Sequence, residues 1–132
     1  MSHDGILIID DNPDIRATLQ DLFEVEGYRV RTADNGMTGL EALHASHPPC
    51  MIVLDLMMPV MDGWEFLQRL RALEDAQMAT TSVTVLSGAG SRDELDQLEQ
   101  RYGCVALSKP ADVGRLLEVT HGCCVGGAGT AA

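Results

Sequence analysis

Basic residues are scarce in this chain. Nine Lys and Arg stand against twenty Asp and Glu, a formal net charge of -11 over 132 residues. Nonspecific nucleic-acid binding rests on Lys and Arg neutralising phosphates, so that class is excluded. No basic amphipathic stretch is present for a membrane surface. No apolar run is long enough for a transmembrane helix. "MSHDG" leads at once into an apolar run, so no signal peptide is expected and a cytoplasmic location follows. No CxxC spacing and no Gly-rich phosphate loop of the Walker type occurs. No catalytic base pair forms among His3, His44, His47 and His121, which fall at terminal or helical positions.

What remains is a globular composition, 45% hydrophobic and 22% charged, of a length suited to one core. Five apolar runs recur, near 5–10, 28–33, 50–55, 83–87 and 104–108. Between them lie segments with helical spacing, such as Ile15, Leu19, Leu22 and Phe23. Asn12-Pro13 predicts a helix start and Gly27 its end. Leu40 and Leu43 mark a second helix, and Trp64, Leu67 and Leu70 a third. Ser91 with Glu94 predicts a capping box for the fourth, and Asp112 a cap for the fifth. "MATTS" at 78–82 reads as a loop. Repeated β-α units imply an α/β fold, a doubly wound parallel sheet. The flavodoxin-like (βα)5 order 2-1-3-4-5 is the expected arrangement.

Cys50 and Cys104 begin strand-like runs and read as ordinary buried thiols. Cys123-Cys124 lie in the tail "HGCCVGGAGTAA", which reads as a disordered terminus over 122–132 behind a domain of 1–121.

Each apolar run ends in a chemically distinctive group. "ILIIDD" ends in Asp10-Asp11, "MIVLD" in Asp55, "VTVLS" in Ser87, and "VALSKP" carries Lys109. In an open parallel sheet such ends converge on one crevice, and strands 1 and 3 flank the switch point. Three carboxylates there repel one another unless a positive group sits among them. A hard divalent cation such as Mg²⁺ suits that donor set. A carboxylate beside a cation can attack phosphorus, forming an aspartyl phosphate. Lys109 supplies charge for a phosphoryl oxygen and Ser87 a hydroxyl.

With "VLDLMMPVMDGWEFL", "VTVLSGAG" and "LSKPAD" in register, the chain over about 3–121 resembles the receiver domain of two-component response regulators, of the stand-alone, chemotaxis-regulator-like kind. The resemblance implies that Asp55 is the phosphoacceptor. It implies Mg²⁺ on Asp11, Asp55 and the Met57 backbone carbonyl, with Asp10 acting partly through water. Ser87 would be the switch hydroxyl and Lys109 the phosphate contact. The donor would be a histidine kinase or a histidine phosphotransfer protein. The chain would not be an enzyme beyond catalysing its own phosphorylation and dephosphorylation. Output would pass through the face of the fourth helix, fifth strand and fifth helix to a downstream protein. The fourth helix carries Arg92, Asp93, Glu94, Asp96 and Glu99. The glycines of "SGAGS", Gly88 and Gly90, would let the loop rearrange.

The chain departs from the family pattern at one site position, and in ending at "GGAGTAA" without the output domain that response regulators often carry. Ala106 stands where an aromatic is usual, and Tyr102, at a helix end, is not its substitute. Met57 and Ala89 offer no acid or amide to orient a hydrolytic water, which implies slow self-dephosphorylation. Two rivals are a phosphorylation-independent pseudo-receiver and an aspartyl-nucleophile phosphatase of the haloacid-dehalogenase class. The first typically lacks part of the acidic set kept here. The second needs an acid at the position of Met57.

Overall fold

A strand buried on both faces needs an unbroken apolar run rather than an alternating one. The runs supply it. In the computed structural model β1 (Ile6–Ile9), β3 (Met51–Asp55) and β4 (Val83–Ser87) are buried at every residue. β2 (Val30–Ala33) and β5 (Val105–Ser108) are the more exposed edges. The structure describes residues 5–45, 47–88, 91–109 and 112–128, with side chains up to Cys124. His3, Ala89, Gly90, Pro110 and 129–132 lie outside the described residues, and so do the expectations placed on them.

All strand pairs are parallel and the order is β2-β1-β3-β4-β5, as expected. The two-residue period of a strand divides its side chains between two layers. Leu7, Ile9, Leu54 and Val85 pack with α2 (Gly36–His44), α3 (Gly63–Arg71) and α5 (Arg92–Tyr102). Ile6, Ile8, Met51, Val53 and Leu86 pack with α1 (Pro13–Val25) and α6 (Val113–Ala128). Among the described residues no helix is long and apolar enough to cross a membrane.

The helix punctuation follows the side chains. Asn12 accepts from the Asp14 and Ile15 amides ahead of Pro13. Gly27, at φ 94°, turns the chain after α1. Ser91 and Glu94 form the capping box of α5, and Gly103 closes it in the left-handed region. Asp112 Oδ1 accepts from the Arg115 amide at the start of α6.

Four expectations need correction. β2 starts at Val30, not 28, because the Tyr28 N–H folds back to the Phe23 carbonyl (3.0 Å). The predicted loop at 78–82 overlaps a short helix, α4 (Ala76–Ala79), capped by Asp75. Arg71 holds that turn, donating to the carbonyls of Ala79, Thr81 and Tyr102. Cys50 is not a free thiol: it is disulfide-bonded to Cys124 across 74 residues. Sheet order brings the amino end of β3 to the carboxyl end of α6, which no spacing rule reveals. α6 itself continues to Ala128, through part of the segment that reads as a disordered tail.

Candidate functional site

β1 and β3 are neighbours in register, Ile9 beside Leu54, so the residues that follow them leave the sheet together. Asp10 and Asp55 are thereby set side by side, with Asp11 one residue further on. One oxygen from each of the three carboxylates lies within 4.8 Å of the others. Asp10 and Asp55 are buried (3% and 5% exposed), while Asp11 is open to solvent.

Lys109 reaches this cluster from the opposite side. Its amide donates to the Ser87 carbonyl (2.7 Å), which anchors the residue after β5 to the end of β4. Its ammonium then lies 3.4 Å from Asp10 Oδ2 and 3.3 Å from Asp55 Oδ1. Ser87 ends β4 with a buried side chain (3% exposed), one step past the Asp55–Leu86 pair. The crevice thus gathers Asp10, Asp11, Asp55 and Lys109, with Ser87 at the end of the adjoining strand β4.

One lysine does not balance the charge. Burial pushes the Asp55 carboxyl above its ordinary range, and the Asp10 charge pushes it further. Lys109 and the Met57 amide, a hydrogen-bond donor to Asp55, pull the other way without cancelling the rise. Carboxylate oxygens converging on an excess of negative charge are the donor set that hard divalent cations take. The residues therefore fit Mg²⁺.

Two supports for the site carry no sequence signal of their own. The Asn12 amide donates to Asp10 Oδ1 (2.9 Å), and Arg16 Nη1 donates to the Asp10 carbonyl (2.6 Å). A helix-capping Asn and an Arg inside α1 read only as punctuation and surface. The loop after Asp55 also holds an unusual backbone. Val60 sits at φ 71°, a region β-branched residues avoid. Gly63 opens α3 so close to that loop that a Cβ would lie 2.8 Å from Leu56 Cα and 2.9 Å from the Asp55 carbonyl oxygen.

The position of the usual aromatic is also settled. Ala106 is buried in β5 opposite Val85, and its amide donates to Glu99 Oε2 (2.9 Å). Tyr102 packs edge-on against Trp64, with ring centroids 6.4 Å apart.

Comparison with known proteins agrees with this geometry. The response regulator receiver domain family model matches residues 6–121. Sporulation initiation phosphotransferase F of Bacillus subtilis is 28% identical over 116 residues, 88% of this chain and 90% of that protein. Response regulator Rre1 of Synechocystis is 37% identical over 114 residues, 85% of this chain, and the chain spans about half (48%) of its length. A response regulator receiver protein from Pseudomonas putida superposes with a TM-score of 0.82 at 28% identity, covering 91% of this chain and 97% of that one. A strand order, an acidic crevice and a lysine, each derived from residues, thus meet in one known design, and the chain belongs to the response regulator receiver domain family.

Proposed function

We propose that residues 1–121 act as a phosphorylation-dependent switch in which Asp55 accepts a phosphoryl group from a phosphohistidine. The donor is a histidine kinase or a histidine phosphotransfer protein. The observation that carries this reading is the Lys109 ammonium lying 3.3 Å from Asp55 and 3.4 Å from Asp10. A lysine so placed holds the nucleophilic carboxylate and can meet the oxygens of an incoming phosphoryl group.

An Asp55 carboxylate oxygen forms a bond to phosphorus while the bond from phosphorus to the donor imidazole nitrogen breaks. The electron pair of that bond leaves with the imidazole. Phosphoryl transfer needs positioning and charge neutralisation more than acid–base chemistry. Asp10, Asp11, Asp55 and the Met57 carbonyl would hold Mg²⁺, which when bound neutralises the transferring oxygens. Lys109 takes one oxygen and the Ser87 hydroxyl donates to another. Open approach comes from the side of Asp11 and the exposed Met57. Beside Lys109 an apolar groove of about 570 Å³ runs between α1 and α6, past Ile15, Leu22 and Val113. An amphipathic helix of the donor protein suits such a groove.

Modification adds charge and acceptor oxygens at one point. Ser87 then draws toward Asp55, and the face of α5, β5 and α6 changes for a downstream protein. With alanine at 106, the link between α5 and β5 falls to Glu99, which ties the Ala106 amide and also faces Arg92 at 3.6 Å. Met57 presents only a thioether beside Asp55, so self-dephosphorylation is slow.

The test is to incubate the chain with a small-molecule phosphodonor and Mg²⁺ and weigh it intact. One hydroxylamine-labile phosphoryl group per chain is expected. An unmodified chain, with the fold intact by circular dichroism, contradicts the proposal and favours a phosphorylation-independent module.

A further inference from the structure

Three of the four cysteines meet at the end of the sheet opposite the acidic crevice, by the amino end of the central strand β3. Cys50 precedes β3, whose other end carries Asp55. α6 starts beside the acidic crevice and brings Cys123 and Cys124 to that far end. Cys50 and Cys124 are joined, and both are buried (6% and 3% exposed). Cys123, next in the helix, is half-buried and keeps its thiol. Cys50 and Cys123 line one crevice of about 310 Å³, with Pro48, Gln77 and Thr80.

We propose that this cluster is a thiol–disulfide exchange site for small thiols and disulfides, and that it locks and releases the carboxyl end of α6. A buried disulfide is slow to exchange because no nucleophile reaches it. Here the bonded Cys50 and the free Cys123 thiol share an opening to solvent. The remaining cysteine shows what an idle thiol looks like. Cys104 donates to the Leu98 carbonyl (3.5 Å), has no cysteine neighbour, and is pushed by burial up to about 11.

Release begins when the Cys123 thiolate attacks Cys50 Sγ. A Cys50–Cys123 bond forms, the Cys50–Cys124 bond breaks, and its electron pair leaves on Cys124, which takes up a proton. The disulfide has moved from the core to the crevice, with no net oxidation. A small thiol, as thiolate, then attacks Cys123 Sγ. The electron pair leaves on Cys50, which is protonated, and a mixed disulfide remains. A second small thiol attacks the small-molecule sulfur of that bond and frees Cys123. In sum two small thiols become one small disulfide, and the protein disulfide becomes two thiols. Locking is the reverse, with a small disulfide as oxidant. In a reducing compartment disulfides of this kind are made and broken rather than kept.

Among the described residues, the helix end packs Val119, Cys123 and Cys124 against the core and makes few side-chain hydrogen bonds. "HGCCVGGA" is poor in strong helix formers and rich in glycine. Its side-chain ties are the Tyr28–His121 contact (3.0 Å) and Thr120, which bonds to the Leu116 carbonyl (2.8 Å) and touches the Met51 sulfur. Opening the disulfide therefore loosens the last turns of α6.

The experiment uses the full chain, oxidised with glutathione disulfide. Alkylation of the folded protein should label Cys123 alone, unfolding without reductant should add only Cys104, and peptide mapping should find Cys50 joined to Cys124. Four alkylated cysteines would overturn the proposal. Reduced glutathione should then open the bond about tenfold more slowly in Cys123→Ser than in the original chain, since an intramolecular nucleophile has been removed. Equal rates would refute the exchange role of Cys123. Amide hydrogen exchange over 116–124 should speed up on reduction, and equally in Cys50→Ala without any thiol. Should that variant fail to fold, the reduced original chain gives the same comparison. Protection unchanged by reduction would refute the lock.

Discussion

Replacing Asp55 by Asn removes one buried charge and leaves the shape of the side chain. Three Coulomb interactions and a desolvation cost compete in the metal-free protein. Asp10 repels Asp55 across at most 4.8 Å, about 3.5 kcal/mol at an effective dielectric of about 20. Asp11 is exposed, so its repulsion at the same separation falls to about 1 kcal/mol. Lys109, at 3.3 Å, attracts by about 5 kcal/mol on the first scale. The Coulomb contributions cancel to within about 1 kcal/mol, and the desolvation of a carboxylate that is 5% exposed decides the sign. Lys109 keeps Asp10 as partner in the variant. Asp55→Asn should therefore stabilise the metal-free protein by about 1–2 kcal/mol, a rise in Tm of about 3–8 °C for a chain of this size. The pH dependence follows from the raised Asp55 value. Its contribution is fully present below the ordinary 3.8 and lost as pH rises through the higher folded value. The advantage of Asn thus vanishes in acid and is complete at neutral pH. Mg²⁺ at about 100 times its dissociation constant adds about 2.7 kcal/mol to a protein that binds it, and less to the variant, so it reverses the order. The assay is thermal unfolding by circular dichroism with chelator or Mg²⁺, between acid and neutral pH. A variant less stable at neutral pH without metal, or an advantage that grows toward acid, refutes the reasoning.

Other perturbations test the scaffold. Val60→Gly relieves about 1–2 kcal/mol of left-handed strain and returns about half of that through unfolded-chain entropy, so urea unfolding should show a net gain of about 0.5–1 kcal/mol. A lower midpoint would contradict the strain. Gly63→Ala drives a Cβ into the backbone that follows Asp55; a loss of about 1–3 kcal/mol and slower phosphorylation are expected, and a neutral result would contradict the packing. Opening the Cys50–Cys124 bond frees a loop of 74 residues, worth about 4 kcal/mol of chain entropy. Reduced and oxidised samples should differ in Tm accordingly, and coincident melting curves would contradict this.

Strands and site were legible because both depend on local sequence. An apolar run buried on two faces shows itself, and the residue at its end projects where the sheet order dictates. In the order 2-1-3-4-5 the ends that carry Asp10, Asp55 and Lys109 converge, and the three side chains meet. The capping pairs Asn12-Pro13 and Ser91-Glu94 were equally local. What could not be read depends on three-dimensional proximity. The Cys50–Cys124 bond joins residues 74 apart, and glycines around Cys124 pointed away from order. The turn of α4 rests on Arg71 collecting carbonyls from two other segments. Val60 takes its positive φ at the centre of a γ-turn, where the Met61 amide donates to the Pro59 carbonyl (2.8 Å), a contact that no residue pattern announces. The strand boundary at Val30 is not legible locally, because the Phe23 carbonyl claims the Tyr28 amide.

The central claim is that Asp55 receives the phosphoryl group. The direct measurement is intact-mass and peptide mapping of the chain and of Asp55→Asn after a small-molecule phosphodonor with Mg²⁺. The account predicts one hydroxylamine-labile phosphoryl group on the peptide carrying Asp55 and none on the variant. Equal modification of Asp55→Asn, or a phosphoryl group mapped to Asp10 or Asp11, would contradict it.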